Sequence, residues 1–317
     1  MRLLRLAAAL RVLLAAARAA SLTLATYNVE NYGPADRMTE AGFRRDYPKP
    51  EAEKAALRAV IRALGADVLA LQEMGSATAL EELRCDLRAE GLDYGHAAWM
   101  EAADADRHLA LLSRLPFLAV RRHPDLAFAY RGGRERVKRG LLEAVVATPA
   151  GAVTIFVVHL KSRLTERPDD PQAADRRAAE AAAVRACVRG EFPESAAGRF
   201  IILGDCNDGA RSAALRRLKT VATPLEAADS RGECWTEFYR RDESYARLDA
   251  ILVSPALRPA VRGGRAHIYD GPGGMAASDH RPVLATLQFG TPEVPGPQGI
   301  GTGAATVTGT VTWPPLP

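Results

Sequence analysis

The 317-residue chain is 48% apolar, 25% charged and 6% aromatic, a balance that excludes a disordered polyelectrolyte. No stretch reaches the roughly 20 consecutive apolar residues that a membrane-spanning helix needs. The formal charge of +4 lies in residues 1–20, which hold Arg2, Arg5, Arg11 and Arg18 and no acid. The remainder is balanced at 38 basic and 38 acidic residues, so no global field draws in polyanions.

Residues 1–20 have a basic start, an apolar stretch interrupted by Arg11, and Ala17-Arg18-Ala19 as an A-x-A cleavage pattern. This order reads as an export signal, which places the mature chain outside the cell or in the periplasm. The alternative is an amphipathic, Arg-bearing helix on a cytoplasmic protein. A strand is expected at Leu22–Tyr27, where apolar and small polar residues alternate. A helix is expected over Lys49–Gly65, with Leu57, Val60, Ile61 and Leu64 on one face, Pro50 in the first turn and Gly65 as its stop. Val68–Leu71 reads as a buried strand and Thr78–Ala89 as a helix through Leu80, Leu83 and Leu87. Leu109–Leu112, Leu141–Ala147 and Val153–Val158 are further strands. The Ala-rich Gln172–Arg189 reads as a helix, and strands follow at Phe200–Leu203, Leu248–Val253 and Val283–Phe289. Two packed sheets with helices outside suit this sequence of elements, and no 20–50-residue period marks a solenoid. Residues 291–317, rich in Pro, Gly and Thr, read as a tail, with Ala305–Trp313 as a possible added strand.

Cys85, Cys187, Cys206 and Cys234 form no CxxC pattern, so a structural zinc site is not expected. Cys85 and Cys187 fall in helical stretches, where a small buried thiol is the ordinary outcome. Cys206 and Cys234 can pair only if their strands lie side by side.

Apolar strands here run directly into polar groups. Leu22–Tyr27 leads to Asn28-Val29-Glu30-Asn31, Val68–Leu71 to Gln72-Glu73, and Ile155–Val158 to His159. Ile201–Leu203 leads to Gly204-Asp205-Cys206-Asn207; Asp249 opens one later strand, and Ser278-Asp279-His280 precedes the last. Each member alone has a plain structural reading. Glu73 could be a solvated strand end, His159 a satisfied core histidine, Asp205-Cys206-Asn207 a turn, and Asp279-His280 a loop before Pro282. Recurrence at several strand ends points instead to one constellation, since open α/β folds gather ligand groups there. Carboxylates and carboxamides without thiols suit Mg²⁺, or Mn²⁺ or Ca²⁺, rather than zinc. With an imidazole beside an aspartate, the chemistry is metal-assisted hydrolysis of a phosphate ester.

The motifs TYNVEN, LALQE, VVHLKS, ILGDCND, RLDAILVS and SDHRPV, in this order from Leu22 to Phe289, resemble the DNase I-like endonuclease/exonuclease/phosphatase superfamily. The resemblance implies a four-layer α/β/β/α sandwich of two mixed sheets with flanking helices, occupying residues 21–290. It implies a metal group of Asn28, Glu30, Glu73 and Asp279, with Glu73 the principal carboxylate. It also implies a catalytic group of His159, Asp205, Asn207, Asp249 and His280: Asp205 handles the attacking water, Asn207 holds a phosphate oxygen and Asp249 orients His280. Cys206 departs from the bulky apolar residue usual at its position.

Arg121, Arg122 and the basic segment Arg131–Arg139 suggest a local surface for a phosphate backbone, although a solvated loop is the plain alternative. Little aromatic interleaving supports base stacking there. A secreted, monomeric nuclease is the leading expectation. A phospholipid or sugar-phosphate phosphodiesterase or phosphatase on the same scaffold is the rival, and a binding module with a dead site is the non-enzymatic alternative.

Overall fold

The computed structural model describes residues 21–290. The expected signal at 1–20, the tail at 291–317 and the added strand at Ala305–Trp313 lie outside the described residues. Among the described residues no helix is long and apolar enough to cross a membrane.

Two sheets form the body. One has seven strands in the order Ala227–Ala228, Ala266–Ile268, Val283–Gln288, Ser21–Asn28, Val68–Met74, His108–Ser113 and His96–Met100. The other has six, in the order Thr223–Pro224, Asp249–Val253, Phe200–Asp205, Gly151–His159, Leu141–Thr148 and Phe117–His123. Both sheets are mixed: Ser21–Asn28 runs parallel to Val68–Met74 but antiparallel to Val283–Gln288. Gly151–His159 is parallel to Phe200–Asp205 and antiparallel to Leu141–Thr148.

The period-two alternation of strand side chains divides the apolar residues into layers. Leu22, Leu24, Val68, Ala70, Leu109 and Leu111 point inward and meet Leu142, Ala144, Val153, Ile155, Ile201 and Leu203 of the facing sheet. The alternate residues Tyr27, Leu69, Leu71 and Leu112 turn outward against Leu57, Val60, Ile61, Leu80, Leu83 and Leu87. On the far side, Phe156, Val158, Phe200 and Ile202 receive Ala181, Val184, Val188, Leu215 and Leu218. The result is the expected helix–sheet–sheet–helix sandwich.

The outer helices begin and end where their sequences dictate. Helix Glu51–Leu64 starts after Pro50, carries Glu51 and Glu53 in its first turn, and stops at Gly65, whose φ of 56° suits glycine. Helix Ala77–Ala89 is capped by Ser76, whose hydroxyl accepts the Ala79 N–H at 3.2 Å. The buried Arg58 joins the two helices through Glu51, Asp86 and Glu90 at 2.7–3.2 Å. The third long helix spans Ala174–Glu191, two residues later than its expected start. Ala173 takes a left-handed conformation, and Asp170 reaches past it to accept the N–H groups of Asp175 and Arg176.

All four cysteines are free. Cys206 is buried in the outer core and Cys234 is exposed, so they do not pair. Cys85 is exposed too, contrary to expectation, because Leu80, Leu83 and Leu87 define the opposite face of its helix. The basic segment Arg131–Arg139 closes the hairpin Ala127–Tyr130/Gly133–Arg136, and most of its charge is paired. Arg131 meets Asp169 and Asp175, Arg136 meets Asp125, and Lys138 and Arg139 meet Asp104. Arg121 is held by Glu143 and Glu191. The expected cationic surface is therefore largely neutralised.

Candidate active site

The polar strand ends converge at one edge of the sandwich, where both sheets contribute. Strand Ser21–Asn28 delivers Asn28, and its parallel neighbour Val68–Met74 delivers Glu73. A register irregularity between Leu71 and Met74 places the bend at this point, and Glu73 adopts a φ of 61°. Such a bulge re-aims one side chain out of the strand's alternation. Glu30, Asn31 and Asn207 share that left-handed conformation, so four polar residues at this edge accept backbone strain.

The facing sheet delivers His159, Asp205 and Asp249, aligned in register across three adjacent strands. Close approach of the first two strands depends on Gly204: a Cβ there would lie 1.9 Å from the Val158 carbonyl oxygen. His280 enters from the loop before strand Val283–Gln288. Its backbone N–H donates to Ser278 Oγ at 3.0 Å, and that hydroxyl donates to the Asn28 carbonyl at 2.8 Å.

A continuous run of contacts links these groups. Asp249 Oδ2 lies 2.7 Å from His280 Nδ1, and His280 Nε2 lies 3.9 Å from Asp205 Oδ2. Asp205 Oδ2 also accepts from Asn28 Nδ2 at 3.0 Å and Asn207 Nδ2 at 3.2 Å, and stands 3.4 Å from His159 Nε2. Asn28 Nδ2 continues to Glu73 Oε1 at 3.3 Å. Glu73 Oε2 accepts the Asn31 N–H at 3.1 Å and faces Arg107 at 3.7 Å. Glu30 and Asp279 form the outer rim: Glu30 donates its N–H to Asn28 Oδ1 and accepts the Asp279 N–H on Oε2, both at 3.0 Å. All nine residues singled out in the sequence thus meet at one edge.

The electrostatics separate the groups. Burial opposes an imidazolium at His280, but Asp249 and Asp205 outweigh it and hold the pKa well above the ordinary histidine value. His159, fully buried and near Arg139 and His280, is held well below it and stays neutral. Burial and the Asp249 charge push the Asp205 carboxyl up to about 7. Burial, then the Asp279 charge, raises Glu30, and burial, then the charges of Glu73 and Glu237, raises Asp279.

The densest grouping of ligand-type atoms among the described residues is Asp205, Asp249 and His280, all within 4.8 Å. Its internal Asp249–His280 hydrogen bond marks it as a proton-handling unit. The carboxylates Glu30, Glu73 and Asp279 face it, with Arg107 beside Glu73 and buried Lys49 beside Glu30 as the near cations. Five carboxylates and two carboxamides gathered at one edge are an oxygen-rich donor set of the kind that fits a hard divalent cation.

Several supporting residues were not evident from sequence. The Thr236 hydroxyl accepts the N–H groups of Leu248 and Asp249 at 2.9 and 3.1 Å, fixing the approach to Asp249. Arg177 and Glu180, fully enclosed on helix Ala174–Glu191, hold the segment after His159: Arg177 reaches the Gln172 and Lys161 carbonyls and Asp208, while Glu180 accepts the N–H of Lys161. Helical spacing marks those two residues as polar positions on a mostly buried face, which is the one signal available for them.

The sequence model described as the Endonuclease/Exonuclease/phosphatase family matches residues 25–280. An endonuclease/exonuclease/phosphatase from Bacteroides vulgatus has a similar structure, with a TM-score of 0.59, 16% identity, and coverage of 85% of this chain and 99% of that one. Sphingomyelinase C from Streptomyces griseocarneus gives 0.58 and 16%, covering 84% and 99%. The human Nocturnin catalytic domain with bound sulfate anion gives 0.58 and 14%, covering 85% and 94%. At such identities these likenesses concern the fold. Comparison with curated proteins gave no match. With the family match spanning every motif from the first strand to His280, the chain belongs to the endonuclease/exonuclease/phosphatase family.

Proposed function

We propose that this protein is an exported, divalent-cation-dependent phosphodiesterase acting on nucleic acid. The family as a whole hydrolyses phosphoester bonds. The observation that supports cation-assisted hydrolysis is the run Asp249–His280–Asp205–Asn28–Glu73, which joins a charged imidazole to a carboxylate-rich mouth across two sheets.

In this reading Glu73, Glu30 and Asp279 hold Mg²⁺, or Mn²⁺ or Ca²⁺, and Asn28 fixes Glu73 in place. A cation held there would supply Lewis acidity to the phosphate. Asp205, with its carboxyl pushed up to about 7, takes a proton from the attacking water near neutral pH. His280, kept charged by Asp249, supplies a donor to the phosphate and a proton to the departing oxygen. Neutral His159 and the Asn207 carboxamide position Asp205 and the substrate oxygens.

The test incubates protein from residue 21 onward with plasmid DNA, sphingomyelin and an inositol phosphate, in Mg²⁺ or in chelator. Glu73→Gln and His280→Ala run alongside. The expected result is DNA cleavage that stops in chelator and falls about 10²-fold or more in each variant. Cleavage indifferent to chelator and to both variants overturns the reading. Turnover of the lipid or the sugar phosphate with DNA untouched moves the chain to that substrate class. Export is tested by fractionating cells and sequencing the mature N-terminus, which is expected near residue 20.

A further inference from the structure

We propose that the outer face of the hairpin Glu237–Tyr239/Ser244–Ala246 is a stacking platform for an unpaired nucleobase beside the scissile phosphate. The inference rests on the phosphodiesterase reading above and names the chemistry of the group that the site takes next to the phosphorus.

Strand alternation divides this hairpin. Glu237, Tyr239 and Ser244 face a cleft that also holds Asn207, whereas Phe238 and Tyr245 face the other way. There the Phe238 and Tyr245 rings stack at 4.7 Å with an interplanar angle of 27°, and the Trp235 ring meets Tyr245 edge-on at 4.9 Å. With Arg240 and Met275 these three rings line a recess of about 440 Å³. Tyr245 is nonetheless 59% exposed. Much of its surface therefore remains open to a partner at the mouth of the recess.

The platform is held rigidly against the site. Phe238 N–H donates to the Asp279 carbonyl at 2.9 Å, one residue before His280. Trp235 is clamped from behind by the Arg281 guanidinium, 3.4 Å from the ring centroid, and Arg281 is itself anchored on buried Asp229 at 2.9 Å. The Arg281 N–H bonds to the Thr236 carbonyl at 2.6 Å. The recess is thereby tied by backbone hydrogen bonds to Asp279 and Arg281, the two neighbours of His280. The recess carries the positive Arg240 and, unlike the cleft across the hairpin, no acid. That pairing of a flat π-face with one cation is the complement of a base with its phosphate, and every base has a π-face, so the platform recognises nucleotides without reading sequence.

The experiment compares two esters with the same leaving group, thymidine 5′-(4-nitrophenyl phosphate) and methyl 4-nitrophenyl phosphate, which differ in the presence of a base. In wild type, kcat/KM favours the thymidine ester. Tyr245→Ala lowers that preference about 10-fold, and Tyr245→Phe, which keeps the ring face, preserves it. An unchanged preference in Tyr245→Ala, or an equal loss on both esters, overturns the platform. Binding of thymidine 5′-phosphate, followed by tryptophan fluorescence, reads the platform without turnover and is expected to weaken in Tyr245→Ala. A protein that turns over neither ester but binds the nucleotide in this way sinks the phosphodiesterase reading alone. Sedimentation with phosphatidylcholine–sphingomyelin vesicles separates the competing occupant. Vesicle binding lost in Tyr245→Ala, with nucleotide binding unaffected, assigns the surface to lipid and overturns the proposal.

Discussion

Asp205 is a catalytic candidate whose chemistry is strongly altered by its surroundings. It is buried between two histidines and two carboxamides and sits opposite Asp249, so its ionised form lacks the hydration it has in an unfolded chain. In the unfolded chain an aspartate releases its proton near pH 3.9; here it does so at about 7. Between those values the native state binds more protons than the unfolded one, so this group's contribution to stability falls as pH rises through that window. Asp205→Asn removes the charge while keeping the shape. In chelator, the variant is expected to melt above wild type at pH 7.5, by about 3 °C or more, with the gap closing toward pH 4. Turnover falls about 10²-fold or more in the same variant. Thermal melts across pH check the first statement, and a gap that widens on acidification would refute it. Gly204, immediately before, shows why the aspartate sits where it does: without a Cβ the chain closes onto Val158 and carries the carboxylate into register beside His159.

At the scale of elements, the strands and long helices that build the core were legible because burial imposes a period. Leu57, Val60, Ile61 and Leu64 face one way because a sheet lies beneath them, and that pattern is written in the residues. The hairpins were not legible. Ala35–Thr39 and Gly42–Tyr47 are solvated along most of their length, so nothing selects apolar alternation, and Arg37 even faces Arg44 across the pair. The basic run at 131–139 misled in another way, since the acids that neutralise it come from positions as distant as Asp104 and Asp175. The site was legible in its strand-end residues, while its aromatic wall was not, because Trp235, Phe238 and Tyr245 meet only once the hairpin folds. Helix Ala174–Glu191 gives this level its prediction. Arg177 points inward to the Gln172 and Lys161 carbonyls and to Asp208, fastening the segments that follow His159 and Asp205. Arg177→Ala removes an enclosed guanidinium and the donor to three part-buried acceptors and is expected to cost about 1.5–3 kcal/mol in urea unfolding. Arg177→Lys is expected to recover only part of it, because one ammonium cannot span the same three acceptors.

For the whole molecule, the decisive feature is that the site belongs to neither sheet alone. Asn28 and Glu73 end strands of the seven-stranded sheet, whereas His159, Asp205 and Asp249 lie on the six-stranded one. Away from this edge the sheets are joined by apolar contacts between Leu24, Val68, Ile155 and Leu203 and their neighbours, which carry no charge to balance. At the edge, carboxylates crowd on each side: burial and Asp249 raise Asp205 on the six-stranded sheet, and burial and Glu73 raise Asp279 beside the seven-stranded one, so like charge works against the fold there. A divalent cation held by Glu30, Glu73 and Asp279, as proposed above, would convert that repulsion into attraction on the seven-stranded side of the edge. Because an unfolded chain does not assemble the site, binding adds directly to folding free energy, about 2.7 kcal/mol when the free cation is at 100 times its dissociation constant. Mg²⁺ is therefore expected to raise the melting temperature by about 5–10 °C at that saturation, with a dependence on concentration that follows the binding curve. Glu73→Gln should shift that curve to much higher Mg²⁺, whereas Arg134→Ala, on the distant hairpin, should leave it in place. A wild-type melt indifferent to Mg²⁺, Mn²⁺ and Ca²⁺ alike would mean that the carboxylates are relieved by protonation instead, and that the two layers are held at this edge without a cation.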